Sequence, residues 1–551
     1  METTRFILLI ALGLVLTMLW QAWQEDYGVA ANNNEVTVND TATVARDEAD
    51  VPSLPDANQQ QSSSLMPALV ADNEQGNRQG ETVSVKTDVL DIEINTRGAT
   101  IERLYLLNYP VDKGEKNNPV KLLKNESNEF YWVQSGILSR ESAANHKSLF
   151  QSEKNEYVLT GDSLDVRFES TTEEGLRVIK TYTFKKGSYL AELRHEVFNE
   201  TGQPWTGSAY AQINRTDPAQ AGSRLLYTYT GAVLHSPDKR YEKISFDDIR
   251  DENITDEFKN GWVAMLQHYF FTALLPSSPE ETYRYYTLNP DKKSYVIGAV
   301  TPGKTVAVGS SETFHQRVYF GPKLQKSLDK IADGLELTVD YGIFWFIAKP
   351  LYWVLDHLHT YTDNWGWSIV LVTLLLKLVF YRLSAAGYRS MANMRRVQPR
   401  LVAIKERYKN DRARLNQAMM DIYKQEKINP LGGCFPILIQ IPVFISLYWV
   451  LLESVELRQA PFALWLDDLS SPDPFFVLPL LMGVTMFIQQ KLNPAPMDPV
   501  QEKVMQILPI VFTVFFAFFP SGLVLYWVVN NILSIAQQWM ITRNLEKAGL
   551  K

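Results

Sequence analysis

Long apolar stretches without a charged side chain in the last third of this chain constrain its fold more than any other feature. Residues 428–452, 474–490 and 504–542 are uncharged runs of 25, 17 and 39 residues. About 20 apolar residues let a helix cross the hydrocarbon core of a bilayer, so the first two runs each predict one crossing. The third run is too long for one crossing, and Pro520-Ser521-Gly522 divides it into two.

Two further crossings are predicted upstream of these runs. Residues 6–24 contain no charge, and these 19 residues extend about 28 Å as a helix that rises ~1.5 Å per residue. A cleaved signal peptide is the alternative, but Trp20 and Trp23 stand where cleavage needs small residues, which favours an uncleaved anchor. Residues 365–383 supply the other crossing. The six predicted crossings are residues 1–24, 365–383, 431–452, 475–490, 504–519 and 521–542.

The charge of the connecting loops predicts the orientation. Residues 382–430 carry 12 Lys and Arg against four acids, whereas residues 453–474 carry five acids and one Arg. Loops rich in Lys and Arg stay in the cytoplasm, so the first loop is predicted to be cytoplasmic and the second external. Alternation then places both termini, including the tail at residues 543–551, in the cytoplasm, and the region between the first two crossings outside it.

That external region is predicted to comprise a linker and an all-β domain. Residues 24–80 contain ten acids, two Arg and almost no aromatic residues, so we expect a flexible acidic linker at residues 25–80. Residues 81–335 contain short alternating runs separated by turn residues, which predict a large antiparallel β-sandwich. The single Cys excludes a disulfide scaffold, a four-cysteine zinc site and an iron–sulfur cluster, and no metal or cofactor is predicted.

One motif in this domain formally matches a phosphate-binding loop. Residues 298–305 fit GxxxxGK[ST], but that chemistry needs a helix N-terminus after the lysine, where backbone N–H groups converge on phosphate. A strand pattern follows instead, and Pro302-Gly303 is a turn signal. We therefore predict a β-hairpin turn here and no nucleotide site.

Two regions beside the crossings have the composition of interfaces. Residues 336–364 predict a short helix and an aromatic-rich interfacial helix, because Trp and Tyr favour the headgroup level. Residues 384–430 predict a cytoplasmic helical hairpin in which Leu415, Met419 and Ile422 form a narrow apolar stripe. Its basic residues are candidates for docking to ribosomal RNA or lipid headgroups, with anchoring of the topology alone as the alternative. These candidates are Arg395, Arg396, Arg400, Lys405, Arg407 and Lys409.

A lysine inside the second predicted crossing is the strongest functional candidate. Lys377 lies between Trp365 and Arg382, and a charge at the bilayer centre costs roughly 2.5–3.5 kcal/mol on insertion scales. Thr373 lies one helical turn away on the same face. Either the polar residues of the other crossings converge on Lys377 around a wet cavity, or Lys377 snorkels to the inner headgroups while the amides hold the helices together. Those polar residues are Gln440, Ser446, Thr485, Gln489, Thr513, Tyr526, Asn530 and Asn531.

A cationic, hydrated cavity fits the transfer of polar or acidic segments of a nascent membrane protein across the bilayer. The cavity shortens the dry path, and the ammonium group attracts acidic residues where the dielectric constant is low. The apolar segment then moves sideways into lipid because its burial there is favourable. No nucleotide is required and no catalytic residue is assigned. A small-solute transporter and a membrane-anchored periplasmic enzyme stay open as alternatives, but no paired repeats and no nucleophile–base pair stand out.

Five short runs of the membrane region carry a specific pattern. They are NPLGGCFP at residues 429–436, QIP at 440–442, SVELRQAPFALW at 454–465, LMGVTMF at 481–487 and FPSGLVLY at 519–526. These runs resemble the YidC/Oxa/Alb family of membrane protein insertases, and the similarity extends over essentially the whole chain. It implies a polytopic α-helical bundle of six transmembrane helices with a five-helix insertase core, a cytoplasmic hairpin and a periplasmic all-β supersandwich domain. It also implies insertion of inner-membrane proteins, alone or with the Sec translocon, receipt of nascent chains from ribosomes, and no cofactor.

The resemblance also assigns residues to a hydrophilic groove. Lys377 falls where the family usually has Arg, so it keeps the charge but lacks the planar fork that binds a carboxylate in two places. Trp527 stands where some members have a second Tyr, and Cys434 matches a family Cys that we assign to packing. The short tail lacks the long basic extension of some members, which leaves the hairpin as the better candidate for ribosome docking. The predicted groove set is Lys377, Thr373, Gln440, Tyr526, Trp527 and Asn530.

Overall fold

The computed structural model describes residues 51–52, 80–115, 117–218, 228–408, 411–426, 435–493 and 499–547. The predicted anchor at residues 1–24 and almost all of the predicted linker lie outside the described residues, as do Lys409 and Cys434. From residue 80 onward the described chain consists of a region of strands followed by a region of helices.

The strand region confirms the prediction of an all-β sandwich. Its strands alternate buried and more accessible side chains, as in β1, where Val83 and Val85 are buried and their neighbours are not. The described strands are β1 Thr82–Lys86, β2 Leu90–Asn95, β3 Thr100–Pro110, β4 Pro119–Asn125, β5 Phe130–Ser139, β6 Gln151–Ser152, β7 Glu156–Val158, β8 Ser163–Thr171, β9 Leu176–Lys185, β10 Leu190–Asn199, β11 Trp205–Thr216, β12 Gly231–His235, β13 Glu242–Ile244, β14 Thr255–Lys259, β15 Trp262–Leu266, β16 Phe270–Pro276, β17 Thr282–Leu288, β18 Ser294–Val300, β19 Lys304–Val306 and β20 Ser311–Pro322.

These strands pair into two sheets that pack face to face. The first sheet has the order β14-β17-β18-β11-β5-β4-β3-β2-β1-β7, with β19 also paired to β11, and the second has the order β13-β12-β15-β16-β20-β10-β9-β8-β6. Side chains from both sheets, such as Trp205 of the first and Tyr182 of the second, fill the layer between them. Smaller apolar clusters lie on the outer face of each sheet.

The segment at residues 298–305 is not the hairpin turn that its sequence predicts. β18 and β19 both pair with β11, because Val300 lies opposite Tyr210 and Lys304 lies opposite Gly207. The step from Val300 to Lys304 is four residues, whereas the matching step on β11 is three. This difference is a one-residue β-bulge, and the strand continues in the same direction past it. The prediction that this motif is not a phosphate loop is consistent with the structure, since a strand and not a helix follows the lysine.

The bulge has a local cause in its proline. Pro302 has no N–H to donate to the ladder, so the regular pairing is interrupted at this point. Thr301 compensates twice, because its N–H donates to the carbonyl oxygen of Ala209 at 2.8 Å and its hydroxyl accepts from the N–H of Ala209 at 2.9 Å. A Pro-Gly pair is therefore satisfied here without any reversal of the chain.

The region that follows is helical, as predicted. Residues Leu335–Thr338, Gly342–Phe344 and Val455–Leu457 form short 3-10 helices. The described α-helices are α1 Phe246–Asp251, α2 Gln325–Ile331, α3 Trp345–Thr362, α4 Trp365–Val379, α5 Tyr381–Arg407, α6 Arg412–Gln425, α7 Phe435–Glu453, α8 Val477–Leu492, α9 Pro499–Phe516 and α10 Ser521–Lys547.

The helix predicted over residues 365–383 differs from the structure. Within the described chain, none of the helices taken singly has both the length and the apolar composition to cross a bilayer; α4 and α5 meet that requirement only as a pair, and the pair is bent by 68°. The bend falls at Phe380, whose φ of −88° and ψ of 8° end the regular helix. Lys377 therefore lies in the last turn of α4, and Arg382 belongs to the next helix.

The sandwich contacts the helices through a buried ion pair. The ammonium group of Lys323, just after β20, lies 3.5 Å from the carboxylate of Glu453 at the end of α7, and both side chains are buried. Burial lowers the pKa of Lys323 and raises that of Glu453, since each charge has left water. Arg458 adds a clamp, because its guanidinium donates to the carbonyl oxygens of Pro110 and Val111 at the end of β3.

Candidate functional site

Lys377 turns toward a neighbouring helix and not along its own. Its ammonium nitrogen donates to the hydroxyl of Ser534 on α10 at 2.7 Å. Among the described residues, no carboxylate forms an ion pair with this ammonium group. The hydroxyl of Ser534 in turn donates to the backbone carbonyl oxygen of Asn530 at 2.7 Å. A half-buried cation is therefore held by one neutral side chain.

A small cavity lies beside this lysine. Its volume is about 10 Å³, which is barely room for one water molecule. Five of the six residues predicted for the groove border it, and three helices, α4, α7 and α10, supply them. These five are Thr373, Lys377, Gln440, Tyr526 and Asn530.

A second and much larger cavity lies on the other side of the same residues. Its volume is about 310 Å³, and it is bordered by α5, α7, α8, α9 and α10. Amides and hydroxyls form its polar part, and Met391, Met486 and Met505 contribute to its apolar part. The polar residues include Gln440, Gln489, Gln490, Asn530, Asn531 and Ser534.

The two cavities share a wall. Ser384, Gln440, Tyr526 and Asn530 border both of them, and the side-chain amide of Gln440 donates to the amide oxygen of Asn530 at 2.9 Å. Lys377 borders only the small cavity. The predicted single wet cavity around Lys377 is thus two spaces in this structure. The lysine borders the smaller one and reaches the edge of the larger one through its hydrogen bond to Ser534.

Several predicted polar residues are satisfied locally and add nothing to this wall. The hydroxyls of Thr373, Ser446 and Thr513 each donate to a carbonyl oxygen four residues earlier in their own helix, at 2.6, 2.8 and 2.7 Å. Such back-bonding is common for hydroxyls in helices. Thr485 instead accepts from the amide of Asn531 at 3.2 Å, which joins α8 to α10.

Trp527 has a packing role in this arrangement. Its ring makes an edge contact with Phe444, with centroids 4.6 Å apart, and lies 5.2 Å from the ring of Phe516. Tyr526 also stacks on Phe444, with centroids 6.0 Å apart. Aromatic side chains from α7, α9 and α10 therefore pack together at the larger cavity, which Phe444, Tyr526 and Trp527 border.

The sequence reasoning missed Ser534, the hydrogen-bond partner that Lys377 has among the described residues. A signal was present, because Asn530, Ser534 and Gln538 recur every four residues and so lie on one face of a helix. Ser384 was missed as well, because it lies beyond the bend at Phe380, where the predicted crossing was ending. The spacing of these residues predicts a polar face on α10, but it does not predict that this face meets Lys377.

The predicted docking residues that the structure describes all lie on α5, and they differ in their surroundings. The apolar stripe packs as a small core in which Val397, Leu401 and Met419 are buried, so α5 and α6 form a hairpin. Glu426 accepts from Arg396 at 2.6 Å and from Arg400 at 2.8 Å.

Arg395 and Arg407 make no ion pair with Glu426 among the described contacts. Arg395 is exposed, and the exposed Arg407 lies over the ring of Tyr408 at 5.9 Å. Lys405 is partly buried and has a partner of its own, and Lys409 lies outside the described residues. Two arginines of the set therefore serve the hairpin itself, while Arg395 and Arg407 present their charge to solvent.

In the part of the chain that the structure describes, no group of three or more His, Cys, Asp or Glu side chains is arranged to hold a metal ion. The candidate site consists instead of one cation, a row of amides and hydroxyls, and apolar walls. Such a site can attract negative charge and exchange hydrogen bonds with a peptide.

Comparison with known proteins gives matches along the whole described chain. The family description "YidC periplasmic domain" matches residues 82–354, and "60Kd inner membrane protein" matches residues 357–548. The membrane protein insertase YidC of Methylococcus capsulatus is 50% identical over 99% of this chain and 99% of its own. That of Thioalkalivibrio sulfidiphilus is 48% identical over 100% of both. A crystal structure of an active YidC insertase aligns at 19% identity and a TM-score of 0.37, over 84% of this chain and 92% of its own, a likeness too weak to carry an argument.

Proposed function

Because this chain belongs to the YidC family of membrane protein insertases, we propose that it inserts nascent inner-membrane proteins through the space on either side of the Gln440–Asn530 pair. It is an insertase and not an enzyme, and it acts on nascent membrane proteins in the lipid bilayer. The observation that carries the proposal is the ammonium group of Lys377, without a carboxylate partner among the described residues, in a small cavity that shares a wall with an amide-lined cavity of about 310 Å³.

Electrostatics gives Lys377 a use during insertion. An acidic residue of the substrate loses hydration as it enters the membrane. A positive charge 4 Å away stabilises its carboxylate by about 4 kcal/mol where the effective dielectric constant is near 20. Lys377 can point toward such a group by leaving the hydroxyl of Ser534. Amides such as Gln440 and Asn530 can replace their mutual bond with bonds to the peptide backbone, so that no polar group is left unpaired in transit.

Release into lipid follows from the apolar part of the substrate. α9 presents a row of exposed apolar side chains, including Ile507, Ile510 and Val514. A substrate helix that leaves the cavity along such a surface exchanges polar surroundings for hydrocarbon, and burial of its apolar area drives the step. The substrate's own hydrophobicity therefore supplies the free energy, and no nucleotide is needed.

The proposal includes the topology that the charge pattern predicts. The helical segments cross the inner membrane six times with both termini in the cytoplasm, α5 and α6 form a cytoplasmic hairpin, and the sandwich is periplasmic. The exposed aromatic side chains of Trp345, Trp353 and Tyr361 on α3, opposite the buried Leu351 and Leu355, support a position in the headgroup layer. Action beside the Sec translocon belongs to the proposal on the family resemblance alone.

Ribosome docking through the hairpin is a further part of the proposal. Arg395 and Arg407 are the exposed cations that Glu426 does not neutralise, so they are the ones expected to meet ribosomal RNA or lipid phosphate. Reversing both charges should weaken co-sedimentation with ribosomes and flatten its salt dependence, whereas reversing Arg396 and Arg400 should instead loosen the hairpin. Unchanged co-sedimentation of the Arg395/Arg407 variant across a salt series would contradict this assignment.

Photocrosslinking tests the insertion path itself. A photoreactive residue at position 373, 377, 440 or 526 should crosslink to a stalled nascent membrane protein in membranes. The matched control is position 378, next to Lys377 on α4, where the leucine side chain is 66% exposed on the outside of the helices. Crosslinks at the four positions, and none to a soluble nascent chain, are expected. Equal crosslinking at 378, or none at 377 and 440, would contradict the proposed path.

A further inference from the structure

The two faces of β11 meet different surroundings, although both are buried. Ala209, Ala211 and Ile213 point into the core between the two sheets. The residues between them, Tyr210, Gln212 and Asn214, must point to the opposite side of the sheet, because successive side chains of a strand alternate. That side is the outer face of the sandwich, where strands usually present side chains to water. Here all three are buried.

The strand pairing extends this outer face into a patch. β5 and β18 flank β11, and they place three rows of side chains across it. The rows are Tyr210 with Gly136 and Val300, Gln212 with Gln134 and Gly298, and Asn214 with Trp132 and Val296. We call these nine residues, together with Tyr286 from β17, the outer patch.

Polar side chains in the middle of the outer patch form a fixed network. The hydroxyl of Tyr286 donates to the amide oxygen of Gln212 at 2.7 Å, and the amide nitrogen of Gln212 donates to the amide oxygen of Gln134 at 2.9 Å. Tyr286 reaches Gln212 by lying across Gly298, where an added Cβ would stand 2.4 Å from its ring. A glycine is therefore required in this row, and the floor of the outer patch is organised in advance.

The row next to this network has hydrogen-bonding capacity that the described residues leave unused. The amide oxygen of Asn214 and the indole N–H of Trp132 are both buried without a partner among the described residues. They lie opposite each other in the strand pairing. One acceptor and one donor side by side match the N–H and C=O groups that an extended peptide presents along one edge.

Part of what covers the outer patch is visible, and it belongs to this chain. Val51 packs against the apolar members of the patch, and Pro52 is buried. These two residues come from the region predicted as a linker, which is far from the face in sequence. Asn145 and His146, just after β5, cover the row of Tyr210 and Gly136, because the N–H of His146 donates to the hydroxyl of Tyr210 at 3.1 Å. The outer face of the second sheet is covered differently, because Leu328 of α2 and Leu335 pack on it as part of the folded domain.

We propose that the outer patch is a binding site for an extended, proline-containing peptide segment, and that Val51–Pro52 is its resident occupant. Proline suits such a site because its φ is already fixed near −65°, so an extended segment loses little conformational entropy when it binds against aromatic side chains. The site lies on the sandwich and uses none of the residues around Lys377, so it is independent of the proposed insertion path.

Tethering sets how tightly the resident segment holds the site. A segment on the same chain acts at an effective concentration of about millimolar, so even a weak intrinsic affinity keeps the site filled. A free peptide must therefore compete with it, and it binds appreciably only when the resident segment has been released. Release by a partner that carries a segment of the same chemistry would free the linker region in which Val51 and Pro52 lie.

Crosslinking in the full-length protein tests the occupant. A benzophenone residue at position 51, in purified protein reconstituted in lipid, should crosslink to peptides from β5, β11, β17 or β18. The control position is Val158, which is 49% exposed on β7 at the other end of the same sheet, and its crosslinks should not fall in those strands. Crosslinks from position 51 to other strands only, or none, would overturn the assignment.

Peptide binding tests the site separately. A labelled peptide containing Asp-Val-Pro-Ser, the sequence of residues 50–53, should bind the full-length Val51→Asp/Pro52→Gly variant at least tenfold more tightly than it binds the unaltered protein. Adding Gln212→Ala to that variant should reduce binding by a similar factor, while Thr305→Ala, on β19 beside β11, should leave it unchanged. Equal binding by the unaltered and released proteins, or binding that ignores Gln212→Ala in a variant with an unaltered melting temperature, would refute the site.

Discussion

The two regions of this protein bury a lysine in different ways. In the sandwich, Lys180 on β9 is completely buried, and its ammonium group donates to the backbone carbonyl oxygens of Gly98 and Ser135. Burial lowers the pKa of Lys180 well below that of a free lysine. In the helical region, Lys377 is only partly buried and donates to one hydroxyl, that of Ser534.

The hydrogen-bond acceptors of the two lysines differ in whether they need the lysine as a partner. The two carbonyl oxygens around Lys180 belong to the backbone of the sandwich, so they cannot turn away and would be left unpaired if the lysine moved. Ser534 already donates to the carbonyl oxygen of Asn530, so its hydroxyl keeps a partner when Lys377 leaves. Lys180 is therefore a fixed part of the fold, whereas Lys377 is available to an incoming group.

The largest effect on stability is expected at the fixed lysine. Lys180→Ala should lower the free energy of unfolding by about 3–5 kcal/mol, because it opens a cavity and leaves two buried carbonyls unpaired. The melting temperature of the sandwich should fall by roughly 10 °C, measured by calorimetry on the full chain. Lys185→Ala is the control on the same strand, because its exposed pair with Glu192 contributes little. A shift of equal size at both positions would break the comparison.

At the available lysine, activity and not stability should change. Lys377→Glu should reduce the insertion of substrates with acidic translocated segments by about ten- to a hundredfold, because attraction becomes repulsion. Lys377→Arg should stay within a few-fold of the unaltered protein. Insertion into proteoliposomes provides the measurement, with the melting temperature as a check on folding. Equal insertion by the two variants would show that the charge at position 377 does not act on the substrate.

The pH dependence of stability distinguishes the sandwich lysine further. Because its folded-state pKa is lowered, the unfolded chain binds more protons between that pKa and about 10.5, and stability rises with pH across this window. The slope for one group is at most about 1.4 kcal/mol per pH unit. The unaltered protein should therefore gain stability relative to Lys180→Met between about pH 8 and 10, measured by urea unfolding. Parallel profiles would mean that Lys180 keeps its proton when buried.

The smallest effect is expected at the hydroxyl that holds Lys377. Ser534→Ala removes one hydrogen bond to a partly buried cation, worth about 0.5–1.5 kcal/mol, and leaves the charge in place. Insertion should change by less than about tenfold, and Ser534→Thr should restore it. A loss of insertion as large as that of Lys377→Glu, with normal folding, would show that the hydroxyl of Ser534 acts on the substrate and does more than bind Lys377.

Much of the architecture was predictable because it follows from side-chain period and charge. The alternation of apolar and polar residues in short runs predicted the sandwich. The apolar stripe through Leu415 and Met419 predicted the packing of α5 on α6. The helical spacing of Thr373 and Lys377 placed both on one face, and both border the small cavity.

The parts that sequence reasoning missed depend on contacts between distant segments. The bend at Phe380 has no proline or glycine beside it, so hydropathy alone extended α4 too far. Pro302-Gly303 predicts a turn, but a Pro-Gly pair also fits a β-bulge. The pairing of β18 and β19 with β11 decides for the bulge. The bond between Lys377 and Ser534 joins residues 157 positions apart, and no local pattern encodes such a meeting.

Water access at position 377 tests the central claim most directly. In a Cys434→Ser background, a cysteine at 377 and, separately, one at 378 would be treated with a membrane-impermeant maleimide in inverted membrane vesicles. A thiol reacts only where water allows its thiolate to form. We expect rapid labelling at 377, beside the cavities, and very slow labelling at 378, which is 66% exposed on the outer side of α4. Equal rates at the two positions, or protection of 377 alone, would contradict the account.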